Sequence, residues 1–153
     1  MLKGDGDLPP VQNCVILTGD IHSSWAADLT QDPNNPDPAT GGYDPQSGDG
    51  SHAVEFVGTS VTSPGLPDPD GSTAGLLRSI NPHFKFIELT QRGYMLLDAT
   101  PQRVVCEWWF VDTVDSISSV ETFRTAFEVR DGSNRLLPSA RTPERSNPAA
   151  LAP

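Results

Sequence analysis

Basic residues are scarce in this sequence. Its 153 residues include ten Lys and Arg against twenty Asp and Glu, which gives a formal net charge of −10 at pH 7. Nucleic-acid binders need a Lys/Arg-rich surface, because much of their affinity comes from neutralising backbone phosphates. We therefore expect no nucleic-acid-binding surface on this protein.

Long apolar segments are also missing. No stretch approaches the roughly 18 apolar residues that a membrane-spanning helix requires, so we expect no membrane span. The first ten residues contain acids, Gly and Pro but no apolar core of a signal peptide, so we expect no signal peptide in this chain. There are only two cysteines, Cys14 and Cys106. They exclude a disulfide framework and leave open one bridge or two buried thiols.

Gly and Pro, by contrast, are abundant, with 13 and 15 residues. From Thr30 to Ser51 most residues are Asp, Asn, Pro, Gly, Ser or Thr, the types that favour turns. About twenty residues without periodicity are unusual inside a compact domain, so we expect residues 30–52 to be a loop insertion, either functional or disordered. Acids in and beside it could bind calcium, although no EF-hand spacing is present and a solvated loop is the default. These acids are Asp28, Asp32, Asp37, Asp44 and Asp49.

Apolar patterns between the loops predict a mostly β-structure. Val15–Leu17 is a continuous apolar run, typical of a strand that is covered on both faces. In 103–111 two sets of residues alternate and only one set contains an acid, which favours a half-buried antiparallel meander. Other predicted strands are 53–61, a strand with Phe84, Phe86 and Leu89, 94–97 and 126–130.

Shorter signals complete this outline. Gln91-Arg92-Gly93 is predicted to be a hairpin loop. Residues 72–80 predict a short helix, capped by Ser72 or Thr73 and stopped by Pro82. Tyr94 and at least one of the neighbours Trp108 and Trp109 are expected in the core. Residues 138–153 lack a core-forming pattern, and we predict a disordered tail there.

Asp20 and His22 directly follow the run Val15–Leu17. The carboxyl ends of strands in α/β folds face the crevice where ligands bind. A carboxylate oxygen together with an imidazole nitrogen suits Fe, Mn or Zn. Two such residues are more often a hydrogen-bonded surface pair, so the pattern alone does not distinguish a metal site from such a pair.

The surrounding residues carry a more specific signal. The stretch 15–29 (VILTGDIHSSWAADL) resembles the C-terminal part of the PhoD-like alkaline phosphatases, which belong to the calcineurin-like metallophosphoesterases. Further similar segments follow in the same order over roughly residues 15–114, and this ordered series is more specific than any single segment. They are VEFVGTSVTSP at 54–64, NPH at 81–83 with Lys85, RGY at 92–94, LLD at 96–98, TP at 100–101 and WWFVDTV at 108–114.

The resemblance implies an α+β or α/β fold, namely the C-terminal portion of a calcineurin-like β-sandwich with mostly antiparallel strands and long Pro/Gly/Asp loops. Residues 1–13 would be a leader and residues 14–137 the C-terminal half of the domain. The implied activity is that of a phosphomonoesterase or phosphodiesterase that uses Fe³⁺ and Ca²⁺, with other divalent metals possible. Such metals polarise phosphoryl oxygens and activate a water for attack on phosphorus. Family members are usually exported, which leaves the localisation of this chain open.

The resemblance also suggests roles for individual residues. Asp20 and His22 match the G-D-x-H element of the family, so a metal-binding and catalytic role is implied for both, with Asp20 the stronger candidate. Asn81 and His83 match the N-P-H segment and could contact phosphate, or could simply end a helix before a strand. Ser23 could position substrate, or could cap a helical turn together with Ser24.

Several motifs of the family do not occur in this sequence. They are a Cys-containing strand, a G-D element with a metal-bridging Asp, and an element of the D-D-H-E type. We therefore expect half of an enzyme, with little or no phosphatase activity alone and with an exposed sheet edge where the N-terminal half would pair. The alternative is a non-catalytic calcium-binding or interaction module that retains part of the fold.

Overall fold

The computed structural model describes residues 4, 7, 9–144 and 146, and these residues form two four-stranded sheets. The first sheet has the spatial order β1-β3-β2-β4, with β1 (Val15–Thr18), β2 (Ser24–Thr30), β3 (Ser51–Val57) and β4 (Phe84–Glu88). The second has the order β5-β6-β7-β8, with β5 (Gly93–Ala99), β6 (Arg103–Val111), β7 (Glu121–Arg130) and β8 (Leu137–Ser139). Pairing is parallel between β1 and β3 and antiparallel elsewhere in these sheets. The predicted mostly antiparallel β-structure is confirmed.

Trp108 lies at the centre of the core between the two sheets. It is fully buried, and its ring contacts Phe56 and Phe86 of the first sheet and Phe127 of the second, with centroids 5.3 to 6.2 Å apart. Its indole Nε1 donates a hydrogen bond to the carbonyl oxygen of Val57 across the core, at 3.1 Å. The indole thus contributes both apolar area and a satisfied polar contact between the sheets. The expectation that one of the two neighbouring tryptophans is core is confirmed.

The alternation in β6 produces the predicted meander. Cys106, Trp108 and Phe110 are buried in the core, while Glu107 lies on the opposite face. Cys14 and Cys106 are both free thiols, and burial raises the pKa of Cys106 well above its ordinary value. Of the alternatives left open, the disulfide bridge is therefore not formed.

The C-terminal segment covers the outer face of β6. Glu107 is buried there and accepts hydrogen bonds from the backbone N–H of Thr142 and from Nε1 of Trp109. Burial acts to raise the pKa of Glu107, but the hydrogen bonds from Thr142 and Trp109 outweigh it and lower the pKa. The guanidinium of Arg141 lies 4.6 Å from the centre of the Trp109 ring.

This covering segment corrects part of the predicted tail. The prediction of disorder is wrong for residues 138 and 139, which belong to β8 and pair with β7. The local sequence predicts disorder, but the segment is ordered because the buried Glu107 carboxylate and the open edge of β7 both require hydrogen-bond partners. Residues 145 and 147–153 of the predicted tail, and 1–3, 5, 6 and 8 of the predicted leader, lie outside the described residues.

Strand positions in the first sheet differ from expectation. The run Val15–Leu17 does form β1, but β1 is an edge strand with an exposed Leu17, not a strand covered on both faces. The strands that lie between two neighbours are β3 and β2, and β2 begins at Ser24, where a capped helical turn was one expectation. A continuous apolar run does not distinguish a central strand from an edge strand.

Two further expectations for the second sheet are wrong. Gln91-Arg92-Gly93 is not a hairpin loop, because β4 and β5 belong to different sheets. Tyr94 is exposed on the edge strand β5 rather than in the core, although its hydroxyl donates to the Glu121 carboxylate at 2.7 Å. Burial and this hydrogen bond raise the pKa of Tyr94 to about 12.

The predicted short helix is confirmed as α1 (Ser72–Ile80). Its N-cap residue is Gly71 rather than Ser72 or Thr73, and the carboxylate of Asp68 accepts from the backbone N–H groups of Thr73 and Ala74 at 2.8 and 3.0 Å. These bonds, Ala74 first, lower the pKa of Asp68. Within the described ranges, no helix is long and apolar enough to cross a membrane.

Asp28 in β2 anchors the long loop between β2 and β3. Its carboxylate is fully buried and accepts from the hydroxyl of Tyr43 in the loop at 2.6 Å and from the backbone N–H of Leu136 at 2.8 Å. Lys85 Nζ on β4 pairs with the same carboxylate at 3.4 Å and also donates to Tyr43. Burial and the hydrogen bond to Asp28 raise the pKa of Tyr43 well above its ordinary value, so its hydroxyl stays a donor.

Removing the Asp28 carboxylate should destabilise the fold strongly. Asp28→Ala leaves Tyr43, Lys85 and the Leu136 N–H without their shared acceptor, so we expect the free energy of unfolding in urea to fall by about 3 kcal/mol. Asp49→Ala, at an exposed position of the same loop, should change it by less than about 0.5 kcal/mol. Equal stabilities of the two variants would contradict this account of the loop.

Stability should also decrease in acid through Glu128. This buried carboxylate pairs with Arg130 and Arg103 at 2.6 and 2.9 Å. Burial alone would raise its pKa, but the two arginines hold the pKa below its ordinary value of 4.5. A lowered folded-state pKa stabilises the protein above pH 4.5, and this contribution is lost as the pH falls through the folded-state value.

We therefore expect Glu128→Gln to be less stable than the wild type at pH 7 and to lose less stability on acidification. Urea unfolding between pH 7 and pH 3 measures both effects. The control is Glu144→Gln, because the Glu144 side chain is 85% exposed and an exposed ion pair contributes little. Parallel pH profiles for Glu128→Gln and the wild type would refute the prediction.

Candidate functional site

The candidate site lies at one end of the first sheet. Because β1 and β3 run parallel, their carboxyl ends, Thr18 and Val57, meet at the same end. The connection from β1 to β2 spans residues 19–23 at this end and carries both Asp20 and His22. Asp20 is exposed and His22 is half-buried.

The backbone of this connection is strained. Asp20 has φ 70° and His22 has φ 57°, in the left-handed region that non-glycine residues avoid. Within the described ranges, Asn13 is the one other non-glycine residue with positive φ. Such a conformation costs on the order of 1–2 kcal/mol per residue, and residues of this kind cluster at functional sites.

The ring of His22 has a fixed orientation. Its Nδ1 lies 3.1 Å from the carbonyl oxygen of Pro64. A carbonyl oxygen only accepts, so Nδ1 carries the proton in this hydrogen bond, and in the neutral ring Nε2 keeps its lone pair. A hydrogen bond from one ring nitrogen to a carbonyl is the usual way in which proteins orient a metal-binding histidine.

Asp20 and His22 fit part of a metal site. They offer a carboxylate oxygen and an imidazole nitrogen, and the Asp20 carboxylate makes no hydrogen bond or ion pair with the described residues. In the part of the chain that the structure describes, no group of three His, Cys, Asp or Glu residues could hold a metal ion. The pair therefore offers two side chains of suitable type, and the described residues do not form a whole metal site.

Ser23 supports the turn. It is fully buried, its hydroxyl accepts from Nε1 of Trp25 at 2.7 Å, and it donates to the carbonyl oxygen of Ile21 at 3.4 Å. The neighbouring Ser24 begins β2, and its buried hydroxyl has no hydrogen-bond partner among the described residues. Both hydroxyls lie inside the turn, and the suggested role of Ser23 in substrate positioning remains a prediction.

Asn81 and His83 lie towards the other end of the sheet. Ser24 pairs with Glu88 and Ala27 with Phe84, so His83 precedes the end of β4 that is remote from the β1–β2 turn. Four residues of strand separate these ends by about 13 Å. Asn81 ends α1 by donating to the Leu77 carbonyl oxygen, and the carbonyl oxygen of His83 accepts from Asp28 N–H. The structure does not bring them together with Asp20 and His22, and their phosphate contact remains a prediction.

His83 is notable for a different reason. Its Nδ1 is buried without a hydrogen-bond partner among the described residues, and its ring stacks on Phe84 at 4.1 Å. Burial lowers the pKa of His83, so its ring is neutral at pH 7.

Asp37 and Asp44 of the long loop make local hydrogen bonds. Asp37 accepts from Ala39 N–H at 3.0 Å, and Asp44 accepts from Gln46 N–H at 2.8 Å, which makes them turn-forming residues. Asp28 is not part of the loop surface at all, because it is buried in β2. This geometry gives no positive support to calcium binding by the loop.

Sequence reasoning missed two groups at the site end. Pro64 orients His22 through its carbonyl oxygen, and a backbone acceptor carries no signal in the sequence. Arg92 lies beside the segment that follows β3, because Thr59 donates to the Gln91 carbonyl oxygen and Gly93 N–H donates to the Ser60 carbonyl oxygen. Its Nε is buried without a partner among the described residues, and it lines a cleft of 340 Å³. The sequence signal that could have identified Arg92 was its place in the R-G-Y segment at 92–94.

Comparisons with known proteins agree on one family. The model of the family "PhoD-like phosphatase" matches residues 8–108. Alkaline phosphatase D of Bacillus subtilis (strain 168) is 31% identical over 118 residues, which are 76% of this chain and 18% of that protein. The solved structure of PhoD superimposes with a TM-score of 0.65 and 26% identity, over 89% of this chain and 24% of PhoD.

Two facts follow from these comparisons. The chain spans about a fifth to a quarter of the length of these relatives. The resemblance inferred from the ordered sequence segments is confirmed, and this chain belongs to the PhoD-like phosphatase family.

Proposed function

We propose that this chain is the C-terminal part of a metal-dependent phosphomonoesterase or phosphodiesterase, and that Asp20 and His22 bind a metal ion in it. The observation that carries the proposal is the turn after β1, where both residues have a left-handed backbone and the His22 ring is fixed through Nδ1. Strain of this kind persists where the function requires a geometry. Membership of the PhoD-like phosphatase family supports phosphate esters as the substrate class.

The two side chains would play different roles. Asp20 presents an exposed carboxylate, a hard ligand suited to a cation such as Ca²⁺ or Fe³⁺. His22 presents Nε2 with its lone pair, held in place by Pro64. A bound metal ion would supply Lewis-acid polarisation of the phosphoryl oxygens. Ser23 holds the turn from within, so that both ligands keep their positions.

The remainder of the site would come from an N-terminal half of the enzyme. Two ligands leave most coordination positions of a catalytic metal open, and this chain spans only 18% of alkaline phosphatase D. Phosphoryl transfer also needs charged groups around the phosphoryl oxygens. We therefore propose that the chain alone has little or no phosphatase activity and becomes active with the missing part.

Replacing either proposed ligand should abolish activity in a complete enzyme. The suitable enzyme is a chimera of Bacillus subtilis alkaline phosphatase D in which this chain replaces the segment that it matches. With chromogenic mono- and diesters, Asp20→Ala and His22→Ala should each lower kcat at least about 100-fold, because even supporting residues of metal sites contribute 10- to 100-fold.

The matched control for this experiment is Asp49→Ala, which should leave turnover of the chimera unchanged. The isolated 153-residue chain should show no turnover with iron and calcium supplied. An active chimera that tolerates Asp20→Ala would contradict the proposed role of Asp20. Turnover by the isolated chain would contradict the need for an N-terminal half.

The strain at Asp20 can be tested without any metal. Glycine adopts positive φ without a steric penalty, so Asp20→Gly should keep or raise the free energy of unfolding, by up to about 1 kcal/mol. Asp20→Ala, which keeps a Cβ and loses the polar group, should lower it by about 1 kcal/mol. Urea unfolding of the isolated chain measures both values, and equal stabilities of the two variants would show that the backbone there is not strained.

A further inference from the structure

The two packed sheets are open along one side. In the described residues, β1 pairs only with β3 and forms one edge of the first sheet, while β5 pairs only with β6 and forms one edge of the second. Val15 of β1 and Met95 of β5 both pack, half-buried, against the core cluster. The two edges therefore border the same core, and we name the gap between them the open slot.

Leu17 on β1 and Leu97 on β5 occupy core-facing positions of the two edge strands. Leu17 pairs with Phe56 in the register of β1 and β3, and Leu97 pairs with Cys106 in that of β5 and β6. Directly paired residues project to the same face of a sheet, and both partners are fully buried core residues. Leu17 and Leu97 thus occupy core-facing positions, yet they are 54% and 38% exposed.

This exposure differs from that of an ordinary surface leucine. Single apolar side chains on an outer face are common in soluble proteins. Here the exposed pair belongs to the inner faces of both sheets, where neighbouring positions are buried. Leu17 and Leu97 are therefore part of a core that is uncovered along this side, and they are not isolated apolar residues on an outer surface.

The edge strand β1 is short, with four residues, but it carries none of the side chains that usually protect an open edge. Besides keeping edge strands short, soluble proteins guard open edges with Lys, Pro, bulges or inward-pointing charges. The residues of β1 are Val-Ile-Leu-Thr, with no charge and no proline. Parallel strands, moreover, normally lie inside a sheet rather than at its boundary.

We propose that the open slot docks the part of a PhoD-like domain that this chain does not contain, as a strand added beside β1 with apolar side chains between Leu17 and Leu97. The superposition on PhoD indicates the occupant, because it covers 89% of this chain but only 24% of PhoD. About three quarters of that fold thus has no counterpart here. The proposal deepens the proposed function, on which it rests for the identity of the partner.

The position of the slot gives this docking a role at the site. Asp20 follows β1 by two residues, so a strand that pairs with β1 ends next to the β1–β2 turn. Residues at the end of that strand would then lie beside Asp20 and His22. The contact that covers Leu17 is therefore also the contact that delivers the remaining ligands.

The test uses Bacillus subtilis alkaline phosphatase D without the segment matched by this chain as the probe, together with the full 153-residue chain. Calorimetric titration and sedimentation should show a one-to-one complex. Leu17→Asp and Leu97→Asp should each raise Kd at least tenfold, because each buries a charge in an apolar contact. Leu76→Asp is the matched control, since Leu76 is 60% exposed on α1, and it should change Kd less than twofold.

A second measurement does not depend on the affinity of two separate pieces. In the chimera described above, the thiol of Leu17→Cys should be alkylated at least tenfold more slowly than in the isolated chain. The thiol of Leu76→Cys should react at the same rate in both. Circular dichroism of each variant establishes that the exposed substitutions leave the fold intact.

Each outcome bears on the proposal. An unshielded thiol at position 17 in a folded chimera, or a complex that is indifferent to Leu17→Asp and Leu97→Asp, would overturn it. Self-association of this chain that Leu17→Asp prevents would assign the slot to a second copy and overturn the stated occupant. Failure of the proposed function has a different signature, namely a slot-dependent complex whose hydrolysis is absent or does not depend on Asp20.

Discussion

Parallel pairing between β1 and β3 sets the position of both features on which the proposals rest. It brings the carboxyl ends of the two strands together, so that the turn after β1 lies at one end of the sheet with Asp20 and His22 on it. The same pairing leaves β1 as an edge strand, with its core-facing Leu17 uncovered. A single register thus links the turn that carries the two proposed metal ligands to a partly covered core.

The rest of the structure holds this register in place. Trp108 joins the sheets through two aromatic contacts, with Phe56 and Phe86, and through one hydrogen bond to Val57, at the end of β3. Asp28 joins β2, β4, the long loop and the segment before β8 through one buried carboxylate. The chain has only 36% apolar residues, and these two centres show how buried polar contacts supplement a small core. A buried ion pair by itself contributes little to stability. The contribution of Asp28 therefore depends on the hydrogen bonds that Tyr43 and Leu136 donate to the same carboxylate.

Sequence reasoning succeeded where the pattern was local. The alternation in β6 and the helical segment that became α1 predicted the elements observed, and the ordered family segments predicted the PhoD-like relationship. It failed at β2, whose small residues and buried Asp28 do not look like a central strand. The partners of Asp28 lie 15, 57 and 108 positions away at Tyr43, Lys85 and Leu136, and no local pattern encodes contacts of that range. The positive φ of Asp20 and His22 was likewise not predicted, because Asp and His only tolerate this conformation better than other non-glycine residues and do not require it.

The central claim is that the turn after β1 supplies metal ligands to a phosphatase completed by another segment. The most direct measurement is the metal content of the chimeric enzyme, by mass spectrometry of the purified wild type and the Asp20→Ala variant. The account predicts that the folded variant retains fewer metal ions per molecule than the wild type, with the Asp49→Ala control unchanged. Equal metal content in the wild type and in Asp20→Ala would contradict it, because Asp20 would then hold no metal.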